Sequence, residues 1–171
     1  FTDIDIPAEF FEDTLKKQAV VNSGLVFEFR NQTENGFETK EYLYPEGITD
    51  YVKEILGEEE ALTQVQFWQA ERRGKDREDK PEYKVKLSVA VAFSNRIKLT
   101  EYYHNSSFLE YGGAPDKAVR QAFVSQIDSY LKQTGKYLKN ESKINFTDVE
   151  DCLVLVSSSF STRSEERRVG K

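Results

Sequence analysis

Between Tyr102 and Leu131 the chain reads YYHNSSFLEYGGAPDKAVRQAFVSQIDSYL, and this stretch limits the possible folds more than any other. Tyr102, Tyr103, Ser106, Phe108 and Leu109 have the aromatic and polar character of a strand, which we place over Ile97–Leu109. Gly112-Gly113-Ala114-Pro115 then breaks it, since paired glycines followed by proline continue neither strand nor helix. Asp116 is positioned to cap a helix in which Val119, Phe123, Ile127 and Tyr130/Leu131 recur at helical spacing. A strand, a glycine corner and a long amphipathic helix aim that helix across one face of a sheet. The class this predicts is α+β.

The rest of the chain supplies the other elements. Ile6-Pro7-Ala8-Glu9 opens a helix over Ala8–Val21, with Phe11, Leu15 and Ala19 on its apolar side, and Asn22-Ser23-Gly24 ends it. Leu25–Arg30 alternates as a half-buried strand, Asn31–Gly36 forms a hairpin turn, and Phe37–Tyr44 returns. A short helix follows over Ile48–Leu56, and the acidic connector Gly57–Leu62 marks a domain junction. Beyond it, Gln64–Arg72 is a strand, Arg73–Pro81 a charged loop tip, and Tyr83–Phe93 a strand with Val85, Leu87, Val89 and Val91 inward. Lys136–Asn145 is a polar connector, and Cys152–Ser158 is a short apolar strand. From the junction onward the predicted order is β-β-β-α-β.

Composition narrows the function classes. An apolar share of 38% over 171 residues is enough to bury a core, and no run is long and apolar enough to cross a bilayer. We therefore expect no membrane partner and a cytoplasmic setting. A single cysteine, Cys152, excludes an internal disulfide framework and a cysteine-based metal site. A net charge of −6 argues against a chain-wide electrostatic grip on nucleic acid, though not against a local basic patch. Both ends look cut. The chain starts at Phe1, and Arg163–Lys171 (RSEERRVGK) breaks the preceding pattern like a translated sequencing adapter, so we expect residues 163–171 to be non-native and without fixed structure.

Chemistry-bearing residues are sparse. His104, the only histidine, lies in strand-like sequence, and Cys152 opens an apolar strand; both read as structural. Ser157-Ser158-Ser159 lacks the Gly-x-Ser-x-Gly elbow of a hydrolase. Gly112-Gly113 lacks a Gly-Lys-Ser/Thr continuation, and Asp116 beside it would repel a phosphate. In Glu71–Lys80, five cations alternate with four acids, which by itself describes a solvated loop.

Several of these segments, in order, resemble the B subunits of type IIA DNA topoisomerases. Asn22-Ser23-Gly24-Leu25 is similar to a Leu-Asn-Ser-Gly-Val segment near the end of the family's ATPase domain, and Tyr44-Pro45-Glu46-Gly47-Ile48 to the Tyr-x-Gly-Gly-Ile after its hairpin. Tyr103-His104-Asn105-Ser106 and Gly112-Gly113 resemble the aromatic-x-Asn-Asn/Ser strand and Gly-Gly-Thr-His corner of its transducer domain, with Ala114-Pro115 standing where Thr-His is usual. Cys152–Ser158 resembles its Gly-Leu-Ile-Ala-Val-Val-Ser strand, and Asp148-Val149-Glu150-Asp151 replaces its Asp-x-Arg-Glu. The resemblance runs from Phe10 to Thr162.

The resemblance implies a two-part organisation. Residues 1–57 would be the end of a GHKL ATPase domain. Residues 63–162 would be a truncated transducer domain of the ribosomal-protein-S5-like type. The parent protein would be an ATP-dependent DNA topoisomerase using ATP and Mg²⁺, with an A-type subunit and DNA as partners and a homodimer formed at an N-terminal gate. Arg72, Arg73 and Lys75 are then candidate DNA-backbone contacts, because transducers line a cavity through which DNA passes. The nucleotide-binding boxes of the family are absent from this chain, and Arg163 onward stands in place of its Gln-Thr-Lys loop. We expect no catalytic, cofactor-binding or metal residue here, no ATP or Mg²⁺ bound by the fragment alone, and no hydrolysis by it. Two other readings stay open: a non-catalytic α+β module presenting Ala118–Leu131 or the Cys152 strand to a protein, and a MutL-type mismatch-repair ATPase fragment. Upstream ATPase boxes would exclude the first, and a downstream Toprim segment the second.

Overall fold

A computed structural model describes residues 6–57, 61–75 and 77–162. Its elements run α1 (Ala8–Val21), β1 (Phe27–Thr33), β2 (Gly36–Tyr42), α2 (Ile48–Leu56), β3 (Gln66–Gly74) and β4 (Tyr83–Phe93). Then come β5 (Leu99–His104), β6 (Ser107–Phe108), α3 (Gly113–Gln133), α4 (Phe146–Glu150) and β7 (Leu153–Ser161). The class is α+β. β1 and β2 form an antiparallel hairpin, and the other strands form one sheet in the order β3-β4-β7-β5-β6. Every neighbouring pair in that sheet is antiparallel except β5–β7, which α3 and α4 connect as a crossover.

The middle of the sheet is covered on both faces, and strand alternation decides which residue serves which side. On one face Val91, Tyr102, Leu153 and Leu155 are buried with Phe146 and Val149 of α4, while Val119, Phe123 and Ile127 of α3 and Val89 and Phe93 of β4 pack against them. On the other face Ala90, Ala92, Tyr103, Val154 and Val156 share a core with Ala19 and Val20 of α1, Tyr44, and Ile48, Val52 and Leu56 of α2. The elements before and after the connector 57–62 are therefore joined through the middle of the sheet. The small side chains of Ala90 and Ala92 let α2 approach closely. Val85, Leu87 and Leu131 are not part of the first core, contrary to the simple alternation of β4; Leu87 lies at the uncovered end and is 38% exposed.

Four local expectations need correction. The strand predicted over Ile97–Leu109 is a tight hairpin, because Asn105 (φ 47°) and Ser106 (φ 62°) are both left-handed, as a two-residue primed turn requires. Asp116 does not cap α3: Gly112 holds the cap position, the helix starts at Gly113, and Pro115 falls in the first turn, where it needs no N–H partner. The connector 136–145 leads into α4, which sequence periodicity misses because it has only five residues; Asn145 accepts from Thr147 N and Asp148 from Asn145 N, a reciprocal cap. The N-terminal hairpin closes more tightly than predicted, with only Glu34 and Asn35 between the strands. The stretch Arg163–Lys171 lies outside the described residues.

Asp128 organises the turn after α3. Its carboxylate accepts Lys132 Nζ at 2.8 Å and Tyr137 Oη at 2.9 Å, with Lys143 Nζ at 3.5 Å, and Tyr137 Oη in turn accepts the Ile144 N–H. The Lys132 hydrogen bond, helped by Tyr137, holds the Asp128 carboxyl below its ordinary value against the effect of burial. A carboxyl lowered by folding stabilises the fold above its unfolded-state pKa, about 4, and that contribution disappears as pH falls through the lower folded value. Asp128→Asn should therefore flatten the loss of stability below about pH 4, measured as urea midpoints across an acid series. An unchanged acid limb would contradict this role.

Candidate functional site

The cationic residues singled out by sequence sit at the free end of the β3–β4 hairpin. Arg72 lies opposite Val85 and Arg73 opposite Lys84 in the antiparallel register. Successive strand residues point to opposite faces, so Arg72 projects on the α3 side of the sheet and Arg73 on the α1/α2 side. The structure thus brings the two guanidinium groups to one edge but splits them across its faces, with Lys75 exposed just beyond the strand. Arg72 Nη1 donates to the Glu71 carbonyl at 3.1 Å, and Arg73 Nη1 lies 3.7 Å from Glu82. Glu71 pairs with Lys84 at 2.7 Å, and that hydrogen bond draws its carboxyl below the usual range. Exposed pairs of this kind are screened and contribute little to stability, so these side chains are available to a ligand. Sequence reading omits Lys84 and Lys86, which share Arg73's face; the period-2 alternation of β4 is the signal that could have found them.

A second group lies where α2 meets the sheet. The Glu101 carboxylate accepts Tyr51 Oη of α2 at 3.3 Å and Tyr103 Oη at 3.0 Å. Tyr103 is fully buried, and burial first, then the Glu101 charge, pushes both phenols well above their ordinary pKa. The ring of Tyr103 lies 5.4 Å from that of Phe108, over which Lys17 of α1 places its ammonium at 4.4 Å. Gln18 Nε2 also donates to the Ser106 carbonyl at 3.0 Å. Glu101 with Tyr51 of α2, and Lys17 and Gln18 of α1, therefore tie the N-terminal helices to β5 and the β5–β6 hairpin, while Lys16 ties α1 to α2 through Glu54 at 2.6 Å. No motif search would single out Glu101. Its signal is a charged residue at a core-facing strand position between Leu99 and Tyr103.

The remaining candidates are structural in geometry. His104 Nδ1 lies 2.8 Å from Ser159 Oγ, which donates to the Tyr103 carbonyl at 3.1 Å; the serine proton is thereby committed, so Nδ1 carries the imidazole proton. Cys152 is half-buried with its thiol on the Val149 carbonyl. At the Gly112-Gly113 corner, Asp116 is held by Arg120 Nε at 2.8 Å, and Arg120 also reaches Glu150 at 3.3 Å and stacks over Phe146. The Asp116 carboxylate lies beside Gly112, and the Gly112 and Gly113 N–H groups donate to the Leu109 and Tyr111 carbonyls at 2.9 and 2.7 Å. Among the described residues no group of three His, Cys, Asp or Glu side chains could hold a metal ion, and no helix is long and apolar enough to cross a membrane.

Comparison with known proteins places this architecture. Among curated proteins, the DNA gyrase B subunit of Mycoplasmoides gallisepticum (strain R(low / passage 15 / clone 2)) is 24% identical over 153 residues, covering 85% of this chain and 23% of the relative. The 43K ATPase domain of Thermus thermophilus gyrase B, solved with an aminocoumarin, superposes with a TM-score of 0.60 at 18% identity, over 94% of this chain and 41% of that one. The topoisomerase IV ATP-binding domain of Francisella tularensis, solved with a small-molecule inhibitor, gives 0.64 at 18% identity, over 96% and 41%. At that identity the two structures show a shared fold, and this chain spans about two fifths of each and about a quarter of the curated relative. The family model described as DNA gyrase B matches residues 47–165, more than half the chain, and the chain belongs to that family.

Proposed function

We propose that this chain is a piece of an ATP-dependent type IIA DNA topoisomerase B subunit, in which it relays the state of a nucleotide site to DNA strand passage. Residues 1–57 are read as the end of the GHKL ATPase domain and 63–162 as most of an S5-like transducer. The observation that carries this reading is the shared core across the sheet. α1, α2 and Tyr44 are packed onto the same strands that bear α3 on their other side, so a displacement of the N-terminal layer is felt directly by the sheet. Exposed Phe10, Leu25, Val26 and Phe37 around α1 and the β1–β2 hairpin support the presence of further ATPase-domain structure in the parent. Glu101, between Tyr51 and Tyr103, is the polar joint of the relay.

In the parent, ATP and Mg²⁺ would be held by residues outside this chain, and the A-type partner, DNA and a second copy of the parent would complete the assembly in the cytoplasm. Arg72, Arg73 and Lys75 are read as contacts to DNA phosphates. Phosphate release decides the central point. Hydrolysis needs a metal, a positioned water and charge stabilisation at the terminal phosphate together. The 171-residue chain should show no Mg²⁺-dependent turnover, whereas a longer reading frame containing the ATPase boxes and the Gln-Thr-Lys loop should turn over ATP and respond to DNA. Turnover by the short chain, or none by the long one, would sink the reading.

A further inference from the structure

We propose that the open edge of β3 pairs with β3 of a second copy of this chain, antiparallel and centred on Ala70. β3 is a nine-residue edge strand that, among the described residues, pairs only with β4. It is exposed on both faces, with Phe67 at 43% and Trp68 at 56%. The hydrogen-bond phase of the sheet fixes which of its main-chain groups face outward. Thr162 N donates to the Lys84 carbonyl at 3.0 Å on the β7 side, and Leu62 N to the Phe93 carbonyl at 2.8 Å on the β3 side. Even-numbered β4 residues therefore address β7 and odd-numbered ones address β3. Since Val89 faces Trp68, Leu87 faces Ala70 and Val85 faces Arg72, these β3 residues spend their main-chain groups on β4. Phe67, Gln69, Glu71 and Arg73 direct theirs to the open edge. The Glu71 carbonyl there accepts only a surface guanidinium, that of Arg72, and a carbonyl has a second lone pair.

A two-fold axis through Ala70 uses every residue of the strand. Phe67 then meets the second copy's Arg73, and Gln69 its Glu71, as the pairs that exchange N–H and C=O. Trp68 meets Arg72 and Ala70 meets Ala70 as the closer, non-bonded pairs, about 4.5 Å between Cα atoms. The smallest side chain in the interior of the strand thus sits on the axis. The charges usual on a protected edge are compatible with this full-length register: each guanidinium lies opposite an aromatic ring, and no like charges are opposed. Shifting the centre to Glu71 or Arg72 would set two carboxylates or two guanidiniums against each other. Pairing consumes main-chain groups and leaves the arginine side chains on the sheet faces, so it does not depend on the DNA reading above.

Sedimentation velocity on the purified 171-residue chain tests this. A reversible monomer–dimer shift with concentration is expected; a monomer throughout, or growth beyond dimer, overturns the proposal. Ala70→Glu and Ala70→Lys each place like charges on the axis and should weaken the dimer by about tenfold or more. Mixing the two variants should restore it as a heterodimer. Dimers of unaltered strength in either variant, or no recovery on mixing, would equally overturn it. Gln69→Pro removes one outward N–H and no bond to β4, and keeps the test decisive should a charged variant fail to fold. It should be monomeric, and a dimer of the original strength counts against the pairing.

Discussion

Gly112→Ala should destabilise the chain by about 2–5 kcal/mol, the sum of backbone strain and overpacking. Gly112 sits at φ 66°, a conformation L-residues rarely adopt, and it is the cap position of α3. A Cβ there would lie 2.5 Å from Asp116 Cβ and 3.3 Å from Tyr102 Cδ2. Neither neighbour can give way cheaply. Asp116 is pinned to Arg120, which is pinned to Glu150, and Tyr102 is buried in the sheet core. Gly113→Ala is the internal comparison: its φ of 61° carries the same backbone cost, but its Cβ meets nothing closer than 3.9 Å. Urea unfolding of both should separate the two contributions, with Gly112→Ala costing more. Equal losses would mean that the Asp116–Arg120 cluster is not a fixed wall.

How far the fold is legible in the sequence depends on the length of each element and on where its order comes from. α1 and α2 are legible because their apolar spacing repeats over several turns and clear breakers end them. β4 is legible as a strand, yet alternation alone assigns it one apolar face when the folded sheet has two. Ala90 and Ala92 look like filler between valines, and they are where α2 docks. The β5–β6 hairpin reads as one strand because its turn uses Asn105-Ser106 rather than glycine, and left-handed geometry at serine has no sequence signal strong enough to announce it. α4 owes its existence to a cap rather than to periodicity.

The candidate site is legible to a lesser degree, for a related reason. Arg72, Arg73 and Lys75 are conspicuous as a charge run, but a run does not say which face of a sheet each cation will occupy, and the register splits them. Glu101 is invisible as a functional candidate, since its role depends on Tyr51, fifty residues away, arriving on the same sheet face. Long-range pairs of this kind are fixed by topology rather than by local pattern. The resemblance to type IIA topoisomerase B subunits fills that gap only for the motifs it covers. Main-chain edge groups, such as those of Phe67 and Gln69, belong to no motif at all.

Phe123→Ala should cost about 3 kcal/mol, the lower end for a buried aromatic, because the ring is half-covered rather than sealed. Phe123 stands at the centre of the apolar face of α3, between Val119 and Ile127, and its ring meets Phe93 of β4 edge-on at 6.3 Å between centroids. Truncation leaves a gap between helix and sheet that neighbouring side chains cannot close without moving α3, whose start is fixed by the Gly112 corner. The geometry of an edge-to-face pair adds about 0.5–1.5 kcal/mol beyond the buried area, so Phe93→Ala and the double variant should show coupling of that size. Thermal or urea denaturation of the three variants against the parent chain measures this directly. A loss below about 1 kcal/mol for Phe123→Ala in an otherwise folded protein would mean that α3 does not seal this face of the sheet. The helix would then be free to present Ala118–Leu131 to a protein partner, as the reading of the chain as a non-catalytic α+β module requires.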